Sequence, residues 1–83
     1  MRYRIEQDAG RDAFGNYSYR IYSGSQLVAR YWHDYRGDEH GIEFVKGESL
    51  PCPGQMTDFI KGGGPEPLVL SERATSYIAQ QLA

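Results

Sequence analysis

Through residues 2–46 apolar and polar side chains alternate with a period of two, a pattern that fits half-buried strands and little else. Arg2-Tyr3-Arg4-Ile5-Glu6 sets Tyr3 and Ile5 on one side and charges on the other. Asp8-Ala9-Gly10-Arg11-Asp12 has the composition of a turn, and alternation resumes over residues 14–22 with Tyr17, Tyr19 and Ile21 on one face. Ser23-Gly24-Ser25 breaks it, and residues 27–35 form a third strand rich in β-favouring side chains.

The faces also predict registers. A three-residue turn at Ser23-Gly24-Ser25 sets Ile21 opposite Leu27, Tyr19 opposite Ala29 and Tyr17 opposite Tyr31. A two-residue turn would instead bring Arg30 among the tyrosines, because a one-residue slip exchanges the two faces of a strand. At the next hairpin a four-residue tip, Arg36-Gly37-Asp38-Glu39, sets Ile42 opposite His33 and Phe44 opposite Tyr31.

Residues 47–67 have a different character, with all four prolines and half of the ten glycines. They predict a long crossover in which residues 55–61 form one turn of helix or an added strand around Met56, Phe59 and Ile60. Leu68-Val69-Leu70 then leads into a helix over residues 71–82, with Ser71 as N-cap and Glu72 at the positive end of the dipole. Ala74, Tyr77, Ile78 and Leu82 give it one apolar stripe, hence one buried face. The expected fold is α+β: an antiparallel meander of three to four strands with the helix packed on one face. At 83 residues it is one small domain.

Composition excludes several classes. A net charge of −2 gives no general basic footprint for a phosphate backbone and argues against a nucleic-acid partner. Cys52 is the only cysteine, so the chain is not a disulfide-stapled scaffold, and no apolar run approaches a membrane span. With no apolar leader at the N-terminus, the expected setting is cytoplasmic.

Chemistry-bearing side chains concentrate in Tyr31-Trp32-His33-Asp34-Tyr35-Arg36-Gly37-Asp38-Glu39-His40. In the four-residue register His33 and His40 share the core-side face as diagonal neighbours, roughly 7–8 Å apart at the backbone. Asp38 or Glu39 could add oxygen ligands, although the spacing is neither a helical two-histidine motif nor a tetrahedral Cys/His set. The structural alternative packs His33 on aromatic neighbours and leaves Asp34, Asp38 and Glu39 solvated or paired with Arg36. Cys52, between Pro51 and Pro53, could serve as a nucleophile if a histidine approached it, but a lone cysteine is more commonly a small inert hydrophobe.

On the opposite sheet face parity places Arg20, Tyr22, Arg30 and Trp32, arginines beside aromatics of the kind that single-stranded nucleic acid stacks on. Glu43 and Asp34 fall on that face too, and the alternative is a solvated sheet side. Arg36-Gly37-Asp38 is ordinary hairpin-tip chemistry, and Gly62-Gly63-Gly64-Pro65 lacks the Lys-Ser/Thr of a phosphate loop.

These observations point to a small soluble intracellular binding or accessory domain acting through protein–protein interaction, self-association included, with no catalysis of its own and no cofactor. Two alternatives stand beside it. One is a metal-dependent or cysteine-based enzyme centred on His33 and His40. The other is a single-stranded nucleic-acid binder using the open sheet face.

Overall fold

In a computed structural model, which describes residues 3–47, 49–52 and 54–82, the first half of the chain is an antiparallel meander. Its strands are β1 (Arg4–Gln7), β2 (Tyr17–Ser23), β3 (Gln26–His33), β4 (His40–Phe44) and β5 (Ser49–Pro51), paired in that order. A second, two-stranded sheet follows, β6 (Ile60–Gly63) with β7 (Glu66–Leu70), and then the helix α1 (Glu72–Leu82). The fold class is α+β, with more strands than the three to four expected. Arg2, expected in the first strand, lies outside the described residues.

The extra strands come from the Gly/Pro-rich segment, which is more ordered than a plain crossover. Residues 49–51 extend the meander as β5. Met56–Asp58 make one 3-10 turn, and Ile60 begins β6, so both forms expected around Met56, Phe59 and Ile60 occur in succession. Gly62 has φ +84, and a Cβ there would stand 2.0 Å from the Pro67 carbonyl oxygen. Only glycine lets β6 and β7 approach so closely at their bulge.

Both hairpin registers differ from expectation, while the core-side positions within the strands keep their faces. The β2–β3 loop has two residues, since Ser23 pairs with Gln26, and Gly24 with φ +62 supplies the left-handed conformation such tight loops need. A bulge between Ile21 and Tyr22 on one strand and Ala29 and Leu27 on the other then absorbs Val28. The odd residue that restores parity sits in the strand instead of the turn, so Tyr19 meets Tyr31 and Ile21 meets Ala29. The β3–β4 loop has six residues rather than four, pairing Ala29 with Phe44, Tyr31 with Ile42 and His33 with His40. Asp34 accounts for the extra length. Its Oδ1 accepts from the N–H groups of Arg36 (3.1 Å) and Asp38 (2.9 Å), so it organises the loop rather than extending the strand.

The core lies between the inner face of the meander and a layer made of the second sheet and α1. Ile5, Tyr19, Ile21, Ala29, Tyr31, Ile42 and Phe44 enter it from the meander, and Phe59, Ile60, Ala74 and Ile78 from the other side. Ser71 caps the helix as predicted: its Oγ accepts from Ala74 N–H at 3.0 Å and donates to the Asp58 carbonyl at 2.7 Å. Of the expected apolar stripe, Ala74 and Ile78 are buried and Tyr77 is half-buried. Leu82 departs from it, 41% exposed, and lines an open groove with Val28 and Val45.

Candidate functional site

His33 and His40 are cross-strand partners, directly opposite rather than diagonal, and both are buried. The six-residue loop causes this, since it moves β4 by two positions against the four-residue register. The environment of each ring fixes its tautomer. His33 Nδ1 lies 2.6 Å from the Asp34 carbonyl oxygen and Nε2 lies 2.7 Å from the Tyr19 hydroxyl. A carbonyl can only accept, so in the neutral ring Nδ1 carries the proton and Nε2 accepts from Tyr19. In His40 the roles are reversed: Nε2 donates to the Gly54 carbonyl at 2.9 Å, and Nδ1 accepts from the Tyr31 hydroxyl at 2.7 Å.

All four ring nitrogens are therefore engaged, and the rings around them are packed. Tyr31 stacks on Phe59 with centroids 4.5 Å apart and planes 11° from parallel, and His40 meets Tyr31 edge-on. His33 lies 5.3 Å from the rings of both Tyr17 and Tyr19. Asp38 and Glu39 remain exposed on the loop, and Asp38 pairs with Arg36 at 3.3 Å. Among the described residues, no group of three or more His, Cys, Asp or Glu side chains gathers as a ligand set.

Cys52 reaches the same region, its N–H donating to the His40 carbonyl at 3.1 Å. The thiol itself is buried, which pushes its pKa up to about 11. With the histidine nitrogens held by tyrosines and carbonyls, neither imidazole is left to act as its base. This is the opposite of an activated nucleophile.

Arg20, Tyr22, Arg30 and Trp32 occupy the outer face of the meander, where Arg20 pairs with Arg30 and Trp32 with Ser18 and Gly41. Trp32 lies over Gly41: a Cβ there would come within 2.7–2.9 Å of the indole, so glycine creates the seat for the ring. The arginines are not free. Arg20 Nε stands 2.6 Å from Asp8 Oδ1, Arg30 Nη1 stands 3.8 Å from Asp8 Oδ2, and Arg4 Nε stands 3.0 Å from Glu6 Oε2. Arg4 also lies over the Tyr22 ring, 4.5 Å from its centroid. The parity of the first strand carried this signal, because Glu6 and Asp8 share the even face with Arg4. Asp34, expected on the same face, belongs to the loop instead. There burial raises its carboxyl pKa, and the N–H groups of Asp38, Gly37, Glu39 and Arg36 outweigh that and hold it below the ordinary value.

A further element of this face is the loop before β2. The strand begins at Tyr17, not at residue 14, because Asp12 Oδ1 accepts from both Phe14 N–H and Asn16 N–H at 2.9 Å and curls the chain into a turn. Phe14 is left 88% exposed at the rim of an open cleft of about 490 Å³, lined also by Asp8, Asp12, Arg30, Trp32 and Glu43. The sequence signal for it was Asp12-Ala13-Phe14-Gly15, a turn composition that the apolar alternation obscured.

No protein-family model, curated protein or solved structure matches the chain. No helix among the described residues is long and apolar enough to cross a membrane.

Proposed function

We propose that this chain is a small protein-interaction domain without catalysis of its own, and that it engages its partner on the outer sheet face around Trp32. The observation that carries the reading is the cleft between Trp32 and Phe14. It joins one seated and one highly exposed aromatic ring to Asp12 and Glu43, the carboxylates that remain once Asp8 is paired with Arg20 and Arg30. Aromatic rings combined with surplus negative charge suit a partner segment that offers a lysine or arginine side chain, by cation–π contact and charge pairing together. Neutralisation of Arg4, Arg20 and Arg30 by Glu6 and Asp8 leaves this face without the basic track that a nucleic-acid strand follows. The buried, fully hydrogen-bonded histidines speak for a bracing role inside the core rather than for catalysis.

The test compares a short lysine/arginine-rich peptide, an aspartate/glutamate-rich peptide and a random single-stranded oligonucleotide, with binding followed calorimetrically. The basic peptide is expected to bind. Trp32→Ala should weaken it by roughly tenfold or more, the usual scale for an aromatic hot spot, while moving the urea midpoint little. The oligonucleotide should show no measurable binding near physiological salt. Oligonucleotide binding that falls steeply with salt and is abolished by changing Arg20 and Arg30 together would replace this reading with the nucleic-acid one.

A further inference from the structure

The two edges of the meander are not equivalent. β5 is three residues long and closes on Pro51, which has no N–H to donate. Among the described residues β1 is paired on one side only, and one contact shows which of its groups face outward. Asp8 N–H donates to the Ser18 carbonyl at 2.9 Å, which makes positions 8 and 18 a hydrogen-bonded pair in line with the β1–β2 register. Antiparallel ladders alternate bonded and non-bonded pairs, so Arg4 and Glu6 bond to β2 while Ile5 and Gln7 turn N–H and C=O toward the open edge.

Edge strands are commonly guarded by charge, which repels an incoming strand. Along this edge the charges are self-complementary. Position 4 is Arg4, and positions 6 and 8 are Glu6 and Asp8. We propose that β1 pairs antiparallel with β1 of a second copy across a two-fold axis at Ile5, joining two five-stranded sheets edge to edge. Ile5 then meets Ile5 as a hydrogen-bonded pair and Gln7 meets Tyr3. Arg4 faces the second copy's Glu6, and Glu6 faces the second copy's Arg4. Parallel pairing in register would set Arg4 on Arg4 and Glu6 on Glu6, so the same charges reject it. Within one chain Arg4 and Glu6 bond to each other at 3.0 Å with side chains 57% and 43% exposed, a pair weak enough to be exchanged for the intermolecular ones.

β7 packs beside this edge and Ile5 is 6% exposed, so the second strand would enter from the open side of the groove between β1 and β7. A groove of about 870 Å³ runs beside the edge from Tyr3, Arg4 and Ile5 to a wall of Leu68, Val69 and Leu70, and Val69 is 50% exposed there. A two-fold axis at Ile5 makes the contact isologous, so the assembly closes as a dimer and does not propagate into fibres. An interface built on one short strand per copy is small, and its dissociation constant is expected on the order of 10–100 μM. This inference does not depend on the Trp32 cleft, because its readout is molecular mass and its variants lie on β1.

Sedimentation equilibrium over a range of about 1 μM to 1 mM should take the chain from monomer to dimer across that dissociation constant. Arg4→Glu alone and Glu6→Arg alone place like charges at both cross-strand positions, and each should weaken association by roughly tenfold or more. The double exchange Arg4→Glu/Glu6→Arg restores opposite charges and should restore the dimer, with circular dichroism confirming that each variant folds. Amide exchange of the unaltered chain gives a reading free of variants: protection at Ile5 and Gln7 should rise with concentration. A chain monomeric throughout, single variants that associate normally, a double exchange that stays monomeric, or unprotected Ile5 and Gln7 amides in the associated state would each overturn the proposal.

Discussion

Ile78→Ala is expected to lower stability by roughly 2–5 kcal/mol, the usual cost of removing buried aliphatic bulk and leaving a cavity. Ile78 is wholly buried between α1 and the inner sheet face, in the same cluster as Tyr31, Ile42 and Ile21. A chain of this size has only several kcal/mol to lose, so the variant should unfold at a much lower urea concentration. Leu82→Ala is the control. It lies four residues further along the same stripe but is 41% exposed, and its truncation should cost less than about 1 kcal/mol. Equal urea midpoints for the two variants would contradict the packing described for α1.

Alkaline conditions should destabilise the fold just as strongly, through a different route. Burial raises the pKa of Tyr19, Tyr31 and Tyr77, and it pushes the Cys52 thiol up to about 11. These groups are neutral when protonated, so the native state holds protons that the unfolded chain releases above its ordinary thiol and phenol values. Where the unfolded state binds fewer protons, stability falls as pH rises. For the thiol the contribution is complete below about pH 8.5 and lost from there to about pH 11. For the phenols the loss begins only at about pH 10 and continues above about pH 11, at up to about 1.4 kcal/mol per pH unit for each group so held. Urea midpoints measured from pH 7 to 11 should stay level and then drop. A profile level to pH 11 would mean that the phenols and the thiol are not buried as described. Tyr31→Phe should reduce the slope, and at neutral pH it should cost roughly 1–3 kcal/mol because His40 Nδ1 loses its donor.

The faces of this sheet were legible in the sequence, and its registers were not. Tyr19, Ile21, Ala29, Tyr31, His33, Ile42 and Phe44 all lie on the side that alternation assigned them, since the β3–β4 loop changed by an even number of residues and the bulge at Val28 offset the odd change at the β2–β3 loop. Loop length itself depended on two features with no apolar signature. One was the bulge at Val28. The other was the aspartate Asp34 that binds its own loop amides. The Gly/Pro-rich segment hid β5, β6 and β7 for a related reason, because glycines at bulges and tight approaches mask strands as well as break them. The helix was plain from its cap and spacing, up to the final residue of its stripe.

The outer face was half legible. Parity brought Arg20, Tyr22, Arg30 and Trp32 together, but their significance turned on Glu6 and Asp8, whose pairing with the arginines depended on how β1 aligns with β2. The histidines show the converse. Residue types alone left metal or acid–base chemistry open beside a packed alternative, and what they did not reveal was the pairing of His33 with His40 and of each ring with a tyrosine and a carbonyl. Nothing in their spacing announced those partners, because Gly54 and Phe59 arrive from a segment far along the chain.

The claim that this cluster braces the core rather than forming a reactive centre is tested most directly by the long-range proton–nitrogen spectrum of the two imidazoles. In mildly alkaline buffer, His33 should appear as a single tautomer protonated at Nδ1 and His40 as a single tautomer protonated at Nε2, both unchanged when zinc is added. Rings that average between tautomers, or nitrogens that shift as zinc binds, would contradict the account.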